Sequence, residues 1–101
     1  MAIRLPEDRR PTHPGEVIRR EYLEPTGVTQ AELAERLHIS RVRLNEIVGG
    51  RRSVTPDTAL RLAKFFGNDA GFWLNLQVAR DLWDALHSDA SADIAAITPI
   101  A

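Results

Sequence analysis

Arg41, Val42, Arg43, Asn45 and Glu46 lie within one short run, residues 41–46, and their chemistry suits the floor of a DNA groove. Arginine can donate two parallel hydrogen bonds to guanine, asparagine pairs in the same two-point fashion with adenine, and a small aliphatic group packs on the thymine methyl. Gln30 precedes the run and Arg51-Arg52 follows it. Donors so placed are what the phosphates on either side of a base-reading segment require.

Catalytic chemistry finds no comparable footing. His13, His38 and His87 are far apart and show neither H-x-x-x-H nor carboxylate spacing. His87-Ser88-Asp89 are chain neighbours, whereas a triad needs its members brought together from separate positions. Gly49-Gly50 lacks the lysine and serine of a phosphate-binding loop, and the chain has no cysteine for a disulfide or a thiolate site. The protein is therefore expected not to be an enzyme, and to need no metal or other cofactor.

A base-reading run needs a rigid support, and the flanking residues supply one. Thr29 and Glu32 form Thr-x-x-Glu, in which the threonine caps a helix and the glutamate reaches back to the cap's own N–H. Ala31, Leu33, Ala34 and Leu37 then make one apolar stripe. Ser40 starts a second helix after only His38 and Ile39. Val42, Leu44, Ile47 and Val48 supply its apolar spacing, and Gly49-Gly50 ends it. With Leu33, Leu37, Leu44 and Ile47 turned inward, residues 41–46 present Arg41, Val42, Arg43, Asn45 and Glu46 to solvent. This is a helix-turn-helix, whose second helix can enter the major groove. A solvated helix pair is the competing account from spacing alone; Gln30, Arg51-Arg52 and the local charge favour DNA.

Around this unit the chain predicts three more helices. His13-Pro14-Gly15-Glu16 opens the first, with His13 as a local cap or surface residue and Val17, Ile18, Tyr22 and Leu23 as its stripe; Pro25-Thr26-Gly27 stops it, and Val28 leads into the next cap. Thr55-Pro56-Asp57 starts the fourth, with Ala59, Leu60, Leu62, Ala63 and Phe66 inward and Arg61 and Lys64 outward. Asp69 caps the last, which runs to about Leu86. Phe72, Leu76, Ala79, Trp83 and Leu86 form one stripe there, yet Trp73, Leu74, Val78 and Leu82 are apolar too. Trp73 is expected to complete the core, and some of Leu74, Val78, Leu82 and Trp83 to meet a second copy or another protein. Residues 1–12 read as an extended arm, disordered unless it folds onto a partner, and residues 87–101 as a tail of unassigned structure.

A chain of 101 residues is sized for one domain. Its N-terminus carries charges where a signal peptide needs an apolar run, and no stretch reaches a membrane span, so a cytoplasmic protein is expected. Net charge is −1, unevenly spread: residues 1–35 hold five basic and seven acidic side chains, residues 36–64 seven and two, residues 65–101 one and five. The positive excess thus coincides with the helix-turn-helix, where it would attract phosphates.

The Thr29–Arg52 stretch resembles the helix-turn-helix of phage repressors. From His13 to Trp83 the chain resembles the HigA-type antitoxins, also known as virulence-associated protein I. The matching features are His13-Pro14-Gly15-Glu16, Thr29-Gln30, Ser40, Asn45, Ile47, Gly50-Arg51-Arg52, Thr55 with Ala59 and Leu62, and Phe72-Trp73 with Leu76-Gln77. The resemblance implies an all-α, five-helix domain over residues 13–86. Its DNA-binding set would be Gln30, Ser40, Arg41, Val42, Arg43, Asn45, Glu46, Arg51 and Arg52, with Gln30 bracing a phosphate. It further implies a homodimer on double-stranded operator DNA that represses its own operon and neutralises a HigB-type toxin, a small RelE-like endonuclease acting on messenger RNA. A stand-alone repressor without a toxin, and a protein-interaction module that has lost DNA affinity, remain the alternatives.

Overall fold

Three side-chain caps set where the central helices begin. Thr29, Ser40 and Thr55 each accept a hydrogen bond from the N–H three residues on, at Glu32 (3.1 Å), Arg43 (3.0 Å) and Thr58 (3.4 Å). The computed structural model describes residues 5–6 and 8–100. Helix α1 begins as Pro14–Ile18, widens into a π-helical turn at Arg19–Leu23 and finishes as Glu24–Thr26. Pro25 brings no N–H to this stretch, and the Glu24 N–H donates five residues back, to Arg19. Then follow α2 (Gln30–Leu37), α3 (Arg41–Val48), α4 (Pro56–Phe66), α5 (Ala70–Leu86) and a short α6 (Ser91–Ala95). The all-α fold is as expected, with one helix more than the five foreseen, because the tail forms a turn and a half of its own.

Ile18, Leu33, Leu44, Ile47 and Leu62 are fully buried at the centre, joined by Leu37, Val54 and Trp73. Tyr22, Phe66 and Trp73 extend this core as an aromatic row with ring centroids 5.1 and 5.4 Å apart. The Trp73 indole N–H is satisfied by Asn68, at 2.9 Å. One contact fixes α3 through its backbone. A Cβ built on Gly15 would stand 1.8 Å from the Ile47 carbonyl oxygen, so α1 and α3 meet backbone to backbone and only glycine fits.

Several expectations are corrected. Glu32 engages the Thr29 hydroxyl (3.0 Å) and not its backbone N–H. Leu60 is 64% exposed, and Thr58 is buried in its place. Asp69 holds the N-cap position of α5 without a side-chain cap bond. The body-facing side of α5 is formed by Trp73 and Gln77, while Phe72 and Leu86 of the expected stripe are exposed. Where it is described, the arm lies against α5. Arg10 makes two 2.8 Å bonds to Asp84, Arg80 donates to the Pro11 carbonyl at 2.9 Å, and Pro11 is buried. Complementary charges on α5 hold it, which the composition of the arm alone does not reveal. Residues 1–4 and Glu7 lie outside the described residues.

Candidate nucleic-acid interface

The corner between α2 and α3 is built from backbone hydrogen bonds. His38 adopts the left-handed conformation (φ 58°), and the Ile39 N–H returns to the Ala34 carbonyl at 3.1 Å, closing α2 in a Schellman turn. Arg61 of α4 donates to the carbonyls of Leu37 (3.1 Å) and His38 (3.2 Å), so the corner is tied from outside as well. Ser40 then starts α3 with its side-chain oxygen committed to the Arg43 N–H. Its role is to aim the helix.

On α3 the expected surface divides into free and engaged residues. Arg41 and Val42 are exposed, Val42 at 69%, and Arg41 has no ion-pair partner among the described residues. Asn45 is exposed but braced: its Nδ2 donates to Gln30 Oε1 (3.2 Å) and its Oδ1 accepts from Arg51 Nη2 (2.9 Å). Gln30 is left with its amide donors unused among the described residues. Arg43 and Glu46, expected in solvent, are half-buried and paired. Arg43 meets Asp57 at 2.9 Å and the Thr58 hydroxyl, and Glu46 takes two bonds from Arg52, at 2.7 and 3.1 Å. Both departures have one cause. α4 and the glycine turn bring charges from later in the chain against α3, which spacing within α3 does not encode.

Behind this surface, the loop carrying Arg51 and Arg52 is pinned by α5. Buried Gln77 accepts from the Val54 N–H (2.8 Å) and donates to Asp81 (2.9 Å). Gln77 belongs to the motif noted in the sequence, but nothing there signalled this bond. His13 closes the other side, its Nδ1 accepting from the Gly15 N–H at 2.9 Å as the cap of α1. Burial foremost, then the Arg80 cation, pushes the His13 pKa below its ordinary value, against the favourable Arg52 carbonyl and Asp81. Between these groups lies an open cleft of about 450 Å³, lined by His13, Glu16, Arg19, Gln30, Asn45 and Arg51 among others. Among the described residues no cluster of His, Cys, Asp or Glu could hold a metal, and no helix is long and apolar enough to cross a membrane.

Of the four residues expected at a protein interface, Leu74 packs against the core. Trp83 is half-buried and stacks on His87 at 3.8 Å. Val78 and Leu82 are 40% and 43% exposed, with Leu86 and Phe72 exposed beside them. The apolar surplus of α5 is therefore real and faces outward, but it centres on Val78, Leu82 and Leu86.

Comparison with known proteins agrees with this geometry. A helix-turn-helix family model matches residues 20–73. The chain is 56% identical over 70 residues to virulence-associated protein I of Dichelobacter nodosus, a match covering 69% of this chain and 65% of that protein. Among solved structures it superposes on an addiction module antidote protein of the HigA family from Coxiella burnetii (TM-score 0.82, 44% identity, 90% of this chain and 99% of that one). It superposes equally on the Pseudomonas aeruginosa antitoxin HigA solved with the higBA promoter (TM-score 0.83, 36% identity, 91% and 100%).

Proposed function

Since this chain belongs to the helix-turn-helix family and, within it, to the HigA-type antitoxins, we propose that it binds its own operator, represses its operon and neutralises a co-encoded toxin. The observation that carries the DNA half is the pairing of free and braced residues on α3. Arg41 and Val42 project unpartnered from a helix start whose position is held by Ser40, Gly15 and Arg61. Beside them, the Gln30–Asn45–Arg51 network presents the Gln30 amide and the Arg51 guanidinium in fixed relation, as a phosphate backbone demands. We assign base reading to Arg41 and Val42, phosphate contact to Gln30, Arg51 and Arg52, and bracing to Ser40, Asn45 and Glu46. The protein acts as a binder and not as an enzyme, in the cytoplasm.

One reading helix spans only a few bases, so the reading includes a two-fold dimer with half-sites about 34 Å apart. Its interface is the Val78, Leu82 and Leu86 face of α5. The partner toxin is assigned to the HigB type, a basic RelE-like ribonuclease. Asp69, Asp89 and Asp93 are exposed and form no salt bridge among the described residues, which leaves them to steer it. Asp84 is engaged by Arg10 and contributes less to such steering.

Fluorescence anisotropy on a duplex covering the chain's own promoter tests the DNA half. Arg41→Ala should lose on the order of 1–3 kcal/mol on the promoter while mixed-sequence DNA is scarcely affected. Equal loss on both would remove Arg41 from base reading. Co-expression with the adjoining reading frame tests the other half: growth rescued equally by wild type and by Arg41→Ala means neutralisation by physical binding, and a frame harmless on its own leaves a repressor without a toxin.

A further inference from the structure

We propose that the apolar groove between α1 and the start of α5 is where the toxin docks, through an apolar side chain flanked by a cationic one. The inference rests on the toxin-neutralising reading above and adds the surface by which that partner is held. The groove, about 330 Å³, is lined by Val17, Glu21 and Tyr22 of α1, by Phe66 at the end of α4, and by Phe72 and Trp73 of α5. α1 separates it from the DNA side. Glu16 and Arg19 border the cleft beside Gln30 and Asn45, whereas none of the described residues of α2 or α3 borders this groove. An occupant therefore leaves Arg41, Val42 and the Gln30–Asn45–Arg51 network uncovered.

The walls are rings that hold one another. Phe72 meets Trp73 edge to face (5.0 Å, 87°), Trp73 meets Phe66 at 5.4 Å, and Phe66 meets Tyr22 edge to face at 5.1 Å. The bond from the Trp73 indole to Asn68 fixes them further. A side chain entering between them meets groups already ordered, so little rotamer freedom is lost on binding. Phe72 is still 45% exposed, and covering an aromatic of this kind in a preformed pocket is how interface anchors bind.

Charge selects the occupant. Glu21 is the one charged residue of the lining, and it is exposed. Glu16 and Glu24 of the same helix are both paired with Arg19, whereas Glu21 forms no salt bridge among the described residues. Asp69, exposed and equally free of salt bridges, directly follows Asn68, which also lines the groove. An apolar groove edged by unpaired carboxylates favours a basic partner and disfavours an acidic one. The exposed apolar residues of a second copy lie mostly in residues 65–101, among five acidic side chains and one basic. The toxin assigned above has the opposite sign.

The test measures association and dissociation of the full chain with the purified product of the adjoining reading frame, alongside promoter binding, sedimentation and circular dichroism for each variant. Phe72→Ala should weaken the complex about 30-fold or more, chiefly through faster dissociation, while binding the promoter as wild type does. Glu21→Arg should slow association about three- to tenfold and flatten its salt dependence. Glu35→Arg makes the same charge change at an exposed site on α2, outside the groove, and should hold the rate within roughly twofold at about 0.1 M salt. If Phe72→Ala melts below the assay temperature, the contrast between Glu21→Arg and Glu35→Arg decides. An unchanged complex with folded Phe72→Ala, or equal effects of the two charge reversals, overturns the proposal while leaving neutralisation intact. Variants that sediment as monomers would assign the groove to the dimer and overturn it as well. A frame whose product does not bind the wild-type chain overturns both the groove and the neutralising reading.

Discussion

His13 shows how much one side chain can be asked to do. It caps α1 through Nδ1, which accepts only while the ring is neutral, and it is buried beside the Arg80 cation. Folding lowers its pKa, so the unfolded chain binds the proton more readily. Its stabilising contribution is then fully present above the unfolded value of about 6.5 and declines as pH falls below it. The carboxylates with lowered pKa, Asp57 and Asp84, lose their contributions only in a more acidic window. Urea midpoints measured between pH 7.5 and 5.5 should therefore fall for wild type. They should fall much less for His13→Asn, which keeps a capping oxygen that does not titrate. Parallel declines in the two proteins would show that the acid sensitivity arises elsewhere.

At the scale of the element, the contact between α1 and α3 governs. Gly15→Ala would drive a methyl into the Ile47 carbonyl at 1.8 Å, and neither backbone can yield without moving its helix. The expected cost is at or above the upper end of about 1–3 kcal/mol, read as a lowered thermal midpoint, together with weaker promoter binding as α3 is displaced. An unaltered midpoint would mean the helices separate freely and that Gly15 is not what positions α3. Such a contact is hard to foresee, since Pro14-Gly15 reads equally well as an ordinary helix start. Helix starts themselves are legible because a capping oxygen acts within three residues: Thr29, Ser40 and Thr55 all cap as their sequence says. Which side of a helix is buried is less so. On α5 the chain offers apolar residues on both sides, and the buried face includes polar Gln77 because the Val54 N–H needs an acceptor there. For the same reason the polar side chains that α3 carries on its surface could be read from the sequence, but their pairing could not. Arg43, Asn45 and Glu46 were all identifiable, whereas their partners Asp57, Gln30, Arg51 and Arg52 are set by the packing of α4, α2 and the glycine turn.

For the whole molecule, the long dimension of 51 Å against 23 and 22 Å reflects α5 and α6 reaching past the body. No residue from His87 to Ile100 is buried, and Ile94 and Ile97 are exposed, as are Val78, Leu82 and Leu86 of α5. An apolar surface of this kind on an otherwise charged chain favours association. Sedimentation of wild type at micromolar concentration should give a dimer, and Leu82→Glu a folded monomer that binds its promoter more weakly and without half-site cooperativity. A monomeric wild type would sink the two-fold model. Charge does not oppose the pairing, because Asp84 and Arg80 are already occupied with Arg10 and Pro11.

The Asp57 carboxylate, which meets Arg43 and Arg61 at 2.9 Å each, also bears on how this domain could be re-targeted to a new DNA word. Positions 41 and 42 touch nothing that holds the fold, so a combinatorial library there samples recognition alone. Position 43 is different: replacing its arginine changes what Asp57 must satisfy, and hence the grip of Arg61 on the corner ahead of α3. Varied singly, it would mix folding defects with altered preference. Randomised together, 43, 57 and 61 form one heritable unit, and useful variants should be sought as triplets.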